Sequence, residues 1–162
     1  MTRTITPNIS KFKSMPLTWT LKNFHDLTVD ELYAILHLRS EIFVVEQNCV
    51  FLDVDYKDQK ASHLMGYDND KLVAYTRLLP PGISYTEMSI GRVVTLAAAR
   101  NSGIGKLLMT TSIGKIYELF GKQPVRIGAQ LYLKRFYESF GFQQSSAVYI
   151  EDGIEHIEML LN

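Results

Sequence analysis

The sequence predicts a mixed α/β (α+β) domain in which helices flank a central, mostly antiparallel, twisted sheet. Three observations carry this. Three alternating apolar runs lie between His63 and Thr95, separated by turn residues; a glycine-opened amphipathic run follows over 103–120; and the chain closes on two alternating runs around Glu151-Asp-Gly153. Short runs joined by Asp68-Asn-Asp70 and Pro80-Pro-Gly82 make a meander, because such turns reverse the chain at once.

The elements follow in order. Leu17, Trp19 and Leu21 alternate with polar residues, the period of a half-buried first strand. Thr28-Val-Asp-Glu31 is a capping box that opens a helix running to about Val45. Residues 48–62 form an irregular acidic loop holding Asp53, Asp55 and Asp58, and 63–67, 72–79 and 89–95 are the strands of the meander. Ser102 is placed to cap a helix over 103–120, which Gly121 and Pro124 stop. A short buried strand over 125–129 and a second helix over 131–140, closed by Gly141, lead to the terminal hairpin.

The 162 residues suit one domain with a sizeable core. Seventeen basic side chains balance 17 acidic ones, leaving no net field for nucleic acid or an anionic membrane. Cys49 is the only cysteine, so neither a disulfide framework nor zinc-ligand spacing is present, and a reducing, cytoplasmic setting without a bound metal is expected. No apolar run approaches the ~20 residues of a membrane span, and the N-terminus lacks the apolar core of a signal peptide. Residues 1–14 carry Arg3, Lys11 and Lys13 without an acid and read as a mobile tail, with Met15 an alternative start; 15–162 is then a single domain.

One stretch points to chemistry. "RNSGIGKLL", from Arg100, sets Gly103 and Gly105 at the front of an amphipathic helix, although glycine inside a helix costs about 1 kcal/mol against alanine. The first helical N–H groups lack internal partners and the helix dipole adds positive potential, so a strand leading into such a start is an anion site. Missing Cβ atoms at Gly103 and Gly105 let a pyrophosphate approach the amides of Ser102, Gly103, Ile104, Gly105 and Lys106, and Arg100 can reach the phosphates directly.

Arg100-x-x-Gly103-x-Gly105, preceded by a strand and followed by Phe136-Tyr137-x-x-x-Gly141-Phe142, resembles the GNAT family of acetyl-CoA-dependent N-acetyltransferases, and the segments "LRSEIFVVEQNC", "IGRVV" and "YESFGF" resemble its ElaA-type branch of small bacterial enzymes. The resemblance implies the GNAT fold, with splayed strands forming an acetyl-CoA cleft. It implies that Val93, Val94 and Thr95 offer backbone groups to the pantetheine, that the amides from Arg100 through Asn101 to Lys106 hold the pyrophosphate, and that Tyr137 is the general acid beside the thiol sulfur. Gln130 stands where the family often has Asn, as a further pantetheine contact.

Acetyl transfer to an amine meets a protonation problem, since an ammonium of pKa about 10.4 is only about one part in ~10³ neutral at pH 7. Glu46 is the first candidate base. On a helical wheel Arg39 falls inside the stripe of Leu32, Ile35, Leu36 and Phe43, with Glu46 at its edge; the pair is either a structural bridge or part of the site. His63 and His156 are weaker base candidates. Tyr137 could equally be a core aromatic, and Cys49 has no evident base beside it. For the acceptor, Arg39, Arg77, Arg92 and His63 would suit a carboxylate or phosphate, whereas Asp53, Asp55 and Asp58 are either a solvated loop or an attraction for a cationic amine.

Two alternatives stay open. Arg39-x-x-x-Phe43, the acidic loop and Thr76-Arg77-Leu78-Leu79-Pro80 resemble the N-terminal half of the acyl-homoserine lactone synthases, which use S-adenosylmethionine; Cys49 stands where those carry a tryptophan, their acidic residues lie further from the arginine, and they lack the R-x-x-G-x-G loop. A non-catalytic acetyl-CoA-binding module is the other. The expected partners are acetyl-CoA and an amine acceptor, and a homodimer is compatible with the sequence.

Overall fold

The structure, a computed structural model, describes residues 17–162; the tail expected over 1–14, and Met15 with it, lies outside them. The meander is present: β1 (Thr18–Asn23), β2 (Ser62–Asp68), β3 (Lys71–Leu79) and β4 (Met88–Thr95) pair antiparallel in chain order. Between β1 and β2, Thr28 Oγ1 accepts the Glu31 N–H at 3.1 Å and Glu31 Oε2 accepts the Thr28 N–H at 2.8 Å, which opens α1 (Val29–Arg39). The chain keeps coiling to the expected end, but as a π-helix over Ser40–Glu46. The wider turn resets which side chains share a face, so Arg39 and Glu46 part company.

After β4 the chain enters α2 (Ile104–Phe120) and returns in β5 (Val125–Gln130), parallel to β4. The N-cap of α2 is Gly103 rather than the expected Ser102. Gly103 sits at φ +84°, a left-handed backbone that favours glycine, while Ser102 Oγ donates to the Ala99 carbonyl at 2.6 Å. The helix expected over 131–140 divides into a 3-10 turn (Leu131–Leu133) and the short α3 (Lys134–Glu138). The strands β6 (Gln143–Gln144), β7 (Tyr149–Glu151) and β8 (Ile154–Leu161) complete the sheet. Strand order is β1-β2-β3-β4-β5-β8-β6, with β7 also on β8. No alternation marked the two-residue β6 in the sequence.

β4 and β5 touch only at Met88↔Val125 and Ser89↔Arg126. A bulge explains the parting. Tyr75 and Arg77 of β3 face Val94 and Gly91 of β4, so β4 uses one residue more over that stretch, and Arg92 within it sits at φ +53°. An extra residue bends its strand and increases its twist. The two strands therefore open towards their C-terminal ends, between a core built on β2, β3 and α1 and another built on β5, β8 and α2.

Candidate active site

The opening between β4 and β5 is a cleft of about 490 Å³. Val93, Val94 and Thr95 form one wall, and their cleft-facing edge has no strand partner. Ile127, Gly128 and Gln130 of β5 form the other. Arg100 and Gly105 border it at the start of α2, Tyr132, Phe136 and Tyr137 beyond β5, and Glu151, Asp152 and His156 at the far rim.

The two loop glycines do different work. Gly103 answers to its backbone angle, and a Cβ there would meet nothing within 4 Å. At Gly105 a Cβ would touch only the Phe136 ring, at 3.7 and 3.8 Å, so packing does not require glycine there and the space belongs to the cleft. The first intrahelical bond runs from Leu107 N–H to the Gly103 carbonyl, which leaves the amides of 104–106 without helical acceptors. Asn101, Ser102 and Lys106 shape the turn without bordering the cleft, and Ile104 is buried. Arg100 Nη2 donates to the Thr95 carbonyl at 3.2 Å, and its Nη1 lies 2.7 Å from Glu46 Oε1.

That last contact corrects one expectation. Glu46 borders the cleft, but its partner is Arg100 and not Arg39. Arg39, 0% exposed, belongs to a closed ring of alternating charges: Arg39 meets Asp53 and Asp58, each at 2.8 Å; Arg77 meets Asp58 at 3.0 Å and Asp55 at 2.6 Å; Arg92 meets Asp55 at 3.4 Å. Arg92 Nε closes it 2.7 Å from Asp53 Oδ1, too oblique for a hydrogen bond. The aspartate loop is thus not a solvated one. Burial alone would raise Asp55 and Asp58, yet the guanidiniums outweigh it and hold both below the usual carboxylate range.

The two opposed hints about the acceptor therefore cancel against each other. Arg39 and Arg77 are buried in the ring and do not border the cleft; Arg92 borders it with its charge matched by Asp53 and Asp55. His63 is also buried away from the cleft. Its Nε2 donates to the Asp58 carbonyl at 3.0 Å, its Nδ1 accepts from the Tyr75 hydroxyl at 2.8 Å, and burial holds its pKa below the ordinary 6.5.

Tyr137 is 5% exposed and borders the cleft, edge-on to Phe136 and Phe142. Burial, with a smaller push from Tyr132, lifts its hydroxyl above the usual phenol range, so it keeps its proton at neutral pH. Three side chains at and just beyond the end of the π-helix straddle the cleft: Glu46 reaches Arg100, Gln47 accepts from Gln130 Nε2 at 3.1 Å, and Cys49 Sγ donates to the Asp152 carbonyl at 3.3 Å. Gln47, Glu151 and Asp152 carried no local signal in the sequence. Gln47 reaches the cleft from the end of the π-helix, and Glu151 and Asp152 because β8 returns beside β5, pairing His156 with Gln130. Among the described residues, no three His, Cys, Asp or Glu side chains are grouped to hold a metal ion, and no helix is long and apolar enough to cross a membrane.

Comparison with known proteins places this geometry. The model of the acetyltransferase (GNAT) domain matches residues 46–162. Protein ElaA of Escherichia coli K12 is 41% identical over 145 residues, 88% of this chain and 95% of that one. Its crystal structure superposes with a TM-score of 0.85 over 91% of this chain and 100% of its own. An acyl-CoA N-acyltransferase from Pseudomonas aeruginosa, 42% identical, superposes with a TM-score of 0.87 over 91% of this chain and 100% of that one. The CoA-dependent acyl-homoserine lactone synthase BjaI, at 16% identity and a TM-score of 0.73 over 90% of this chain and 82% of its own, shares the fold alone.

Proposed function

The chain belongs to the GNAT acetyltransferase family, and from that premise we propose that it transfers the acetyl group of acetyl-CoA directly to a primary amine of a small molecule or a protein. The observation that carries this reading is the unpartnered edge of β4 opening beside the uncapped first turn of α2. Acetyl-CoA supplies an acyl thioester, already activated towards an amine. The N–H and C=O groups of Val93, Val94 and Thr95 suit the amides of pantetheine, much as they would a neighbouring strand. The amides of 104–106 and the Arg100 guanidinium suit its pyrophosphate, and Gly105 leaves room for it.

Tyr137 then gives its proton to the departing sulfur. Gln130 turns its amide towards the cleft at the end of β5, where a pantetheine contact is in reach once Gln47 yields it. Residues 15–162 work as one acetyltransferase domain, and the single Cys49, bound to a carbonyl, takes no part as a nucleophile. A reducing, cytoplasmic setting suits it.

Calorimetric titration of acetyl-CoA, with thiol release measured over a panel of primary amines, tests the reading. Gly105→Glu is expected to weaken acetyl-CoA binding at least ~10-fold in a protein that still melts cooperatively, since it sets a negative side chain where phosphate must lie. Equal affinity in the folded variant, or no thiol release with any amine, would overturn it.

A further inference from the structure

We propose that His156 is the base that takes the proton from the acceptor amine, a role that rests on the acetyl-transfer reading above. His156 borders the cleft, and its Nδ1 lies 2.8 Å from the Ile154 carbonyl. A carbonyl only accepts, so Nδ1 carries the hydrogen; in the neutral ring Nε2 is then a bare lone pair. No side chain or backbone group among the described residues bonds Nε2. Stacking on Tyr149, at 5.8 Å and 28° between planes, fixes the ring orientation.

The sheet places this nitrogen on the amine's side. Gln130↔His156 and Gly128↔Glu158 are cross-strand partners, so these four residues share one face of β5 and β8. Ile127, Ala129, Ile157 and Met159 share the other and pack in one cluster with Tyr137. Tyr137 and His156 therefore address the cleft from opposite faces. With the acid stationed where sulfur leaves, the face left for the arriving nucleophile is that of His156.

The other candidate bases are engaged. Glu46 is paired with Arg100, and His63 is buried with both ring nitrogens bonded. Around His156 the charged and titratable groups are Glu151 and Asp152 on the β7–β8 turn, Glu158 on the same face of β8, paired with Arg126 at 2.9 Å, Tyr149 on β7, whose hydroxyl burial pushes up to about 12, and Arg92 across the cleft, matched by its aspartates. Glu151 and Asp152 make no ion pair among the described residues, so this rim favours an incoming ammonium and the imidazolium that forms.

Nε2 takes a proton from the ammonium and releases it to water at the cleft mouth; the amine lone pair forms the C–N bond, the C–S bond breaks, and Tyr137 protonates the sulfur. The second N–H proton, lost as the amide forms, restores Tyr137 through water.

Acetyl transfer to 1,4-diaminobutane, followed by thiol release from about pH 6 to about pH 10, tests the proposal in wild type, His156→Asn and Glu46→Gln. Wild-type kcat/KM for the amine is expected to reach a plateau well below the amine's own pKa, because a base on the enzyme takes the proton. His156→Asn is expected to lose ~10²- to 10⁴-fold at pH 7 and to climb about tenfold per pH unit, because it must await an amine that is already neutral. Its acetyl-CoA affinity stays within about twofold of wild type, and Glu46→Gln keeps the plateau. A His156→Asn profile parallel to wild type, or the slope appearing in Glu46→Gln instead, overturns the assignment. Absence of thiol release in wild type counts against the acetyl-transfer reading alone. The nitrogen-15 spectrum of His156, which needs no turnover, then decides: hydrogen on Nδ1 upholds the free Nε2, and hydrogen on Nε2 overturns it.

Discussion

A phenol with its hydroxyl lifted by burial has a proton to give and no charge to solvate, and Tyr137 is held in that condition by Phe136 and Phe142. Tyr137→Phe keeps the ring and its packing. It should lower kcat by ~10²- to 10⁴-fold while the melting temperature and acetyl-CoA affinity stay near wild type, measured on one preparation; a loss of turnover that tracked stability would mark a packing residue instead. Gly105→Ala makes the opposite point. Its Cβ would meet Phe136 at ordinary contact distance, so the helix should gain about 0.5–1 kcal/mol in urea denaturation while acetyl-CoA binds more weakly. Both residues were legible in the sequence as parts of a local pattern, a glycine pair before a helix and an aromatic pair before a turn, and the structure sets both beside the cleft. His156 was visible only as one weak candidate, since a lone histidine in a strand says nothing of the cleft it borders until β8 is laid beside β5.

At the scale of elements, the segment over 50–58 inverts the usual rule of burial. Val50 is 98% exposed and Tyr56 81% exposed, and Leu52 and Val54 also face outward, while Asp53 and Asp58 are buried. Over 50–56 the alternation is that of an extended chain; Tyr56, at φ +58°, breaks it, Asp58 opens a 3-10 turn, and the ring of arginines decides which side goes in. Composition alone reads such a segment as a solvated loop, because the three arginines that overrule it come from α1, β3 and β4, far apart in sequence. Removing one partner of a buried ion pair costs about 3–5 kcal/mol, since it strands the other charge. Asp53→Asn should approach that loss in urea denaturation, and Asp55→Asn, at a site a quarter exposed, should cost clearly less. Because Asp53 also holds Arg92 at the bulge, Asp53→Asn should weaken acetyl-CoA binding as well. Equal losses from the two variants would mean that the ring is not closed in solution.

For the whole molecule, the meander, the crossover helix and the terminal hairpin were readable because each is a local pattern of period and turn. The insertion of β8 between β5 and β6, and the bulge that parts β4 from β5, rest on contacts distant in sequence and left no such trace. Those same long-range contacts tie stability to pH. His63 is buried between β3 and the aspartate loop, and its pKa is held below 6.5 by burial, against the pull of the Asp58 carbonyl and carboxylate. The unfolded chain binds that proton more readily than the folded one. Folding stability is therefore complete above about pH 6.5 and declines as the pH falls below it, until the folded-state pKa is passed. Asp55 and Asp58, held below the ordinary 3.8, act with the same sign in a lower window, their contribution lost only as the pH falls beneath about 4. Urea denaturation should accordingly give two separate declines on acidification. His63→Gln retains a donor for the Asp58 carbonyl but cannot titrate, so it should be less stable than wild type at neutral pH and lose the upper decline while keeping the lower one. If the slope between about pH 6.5 and pH 5 is unchanged in His63→Gln, the upper decline belongs to another group.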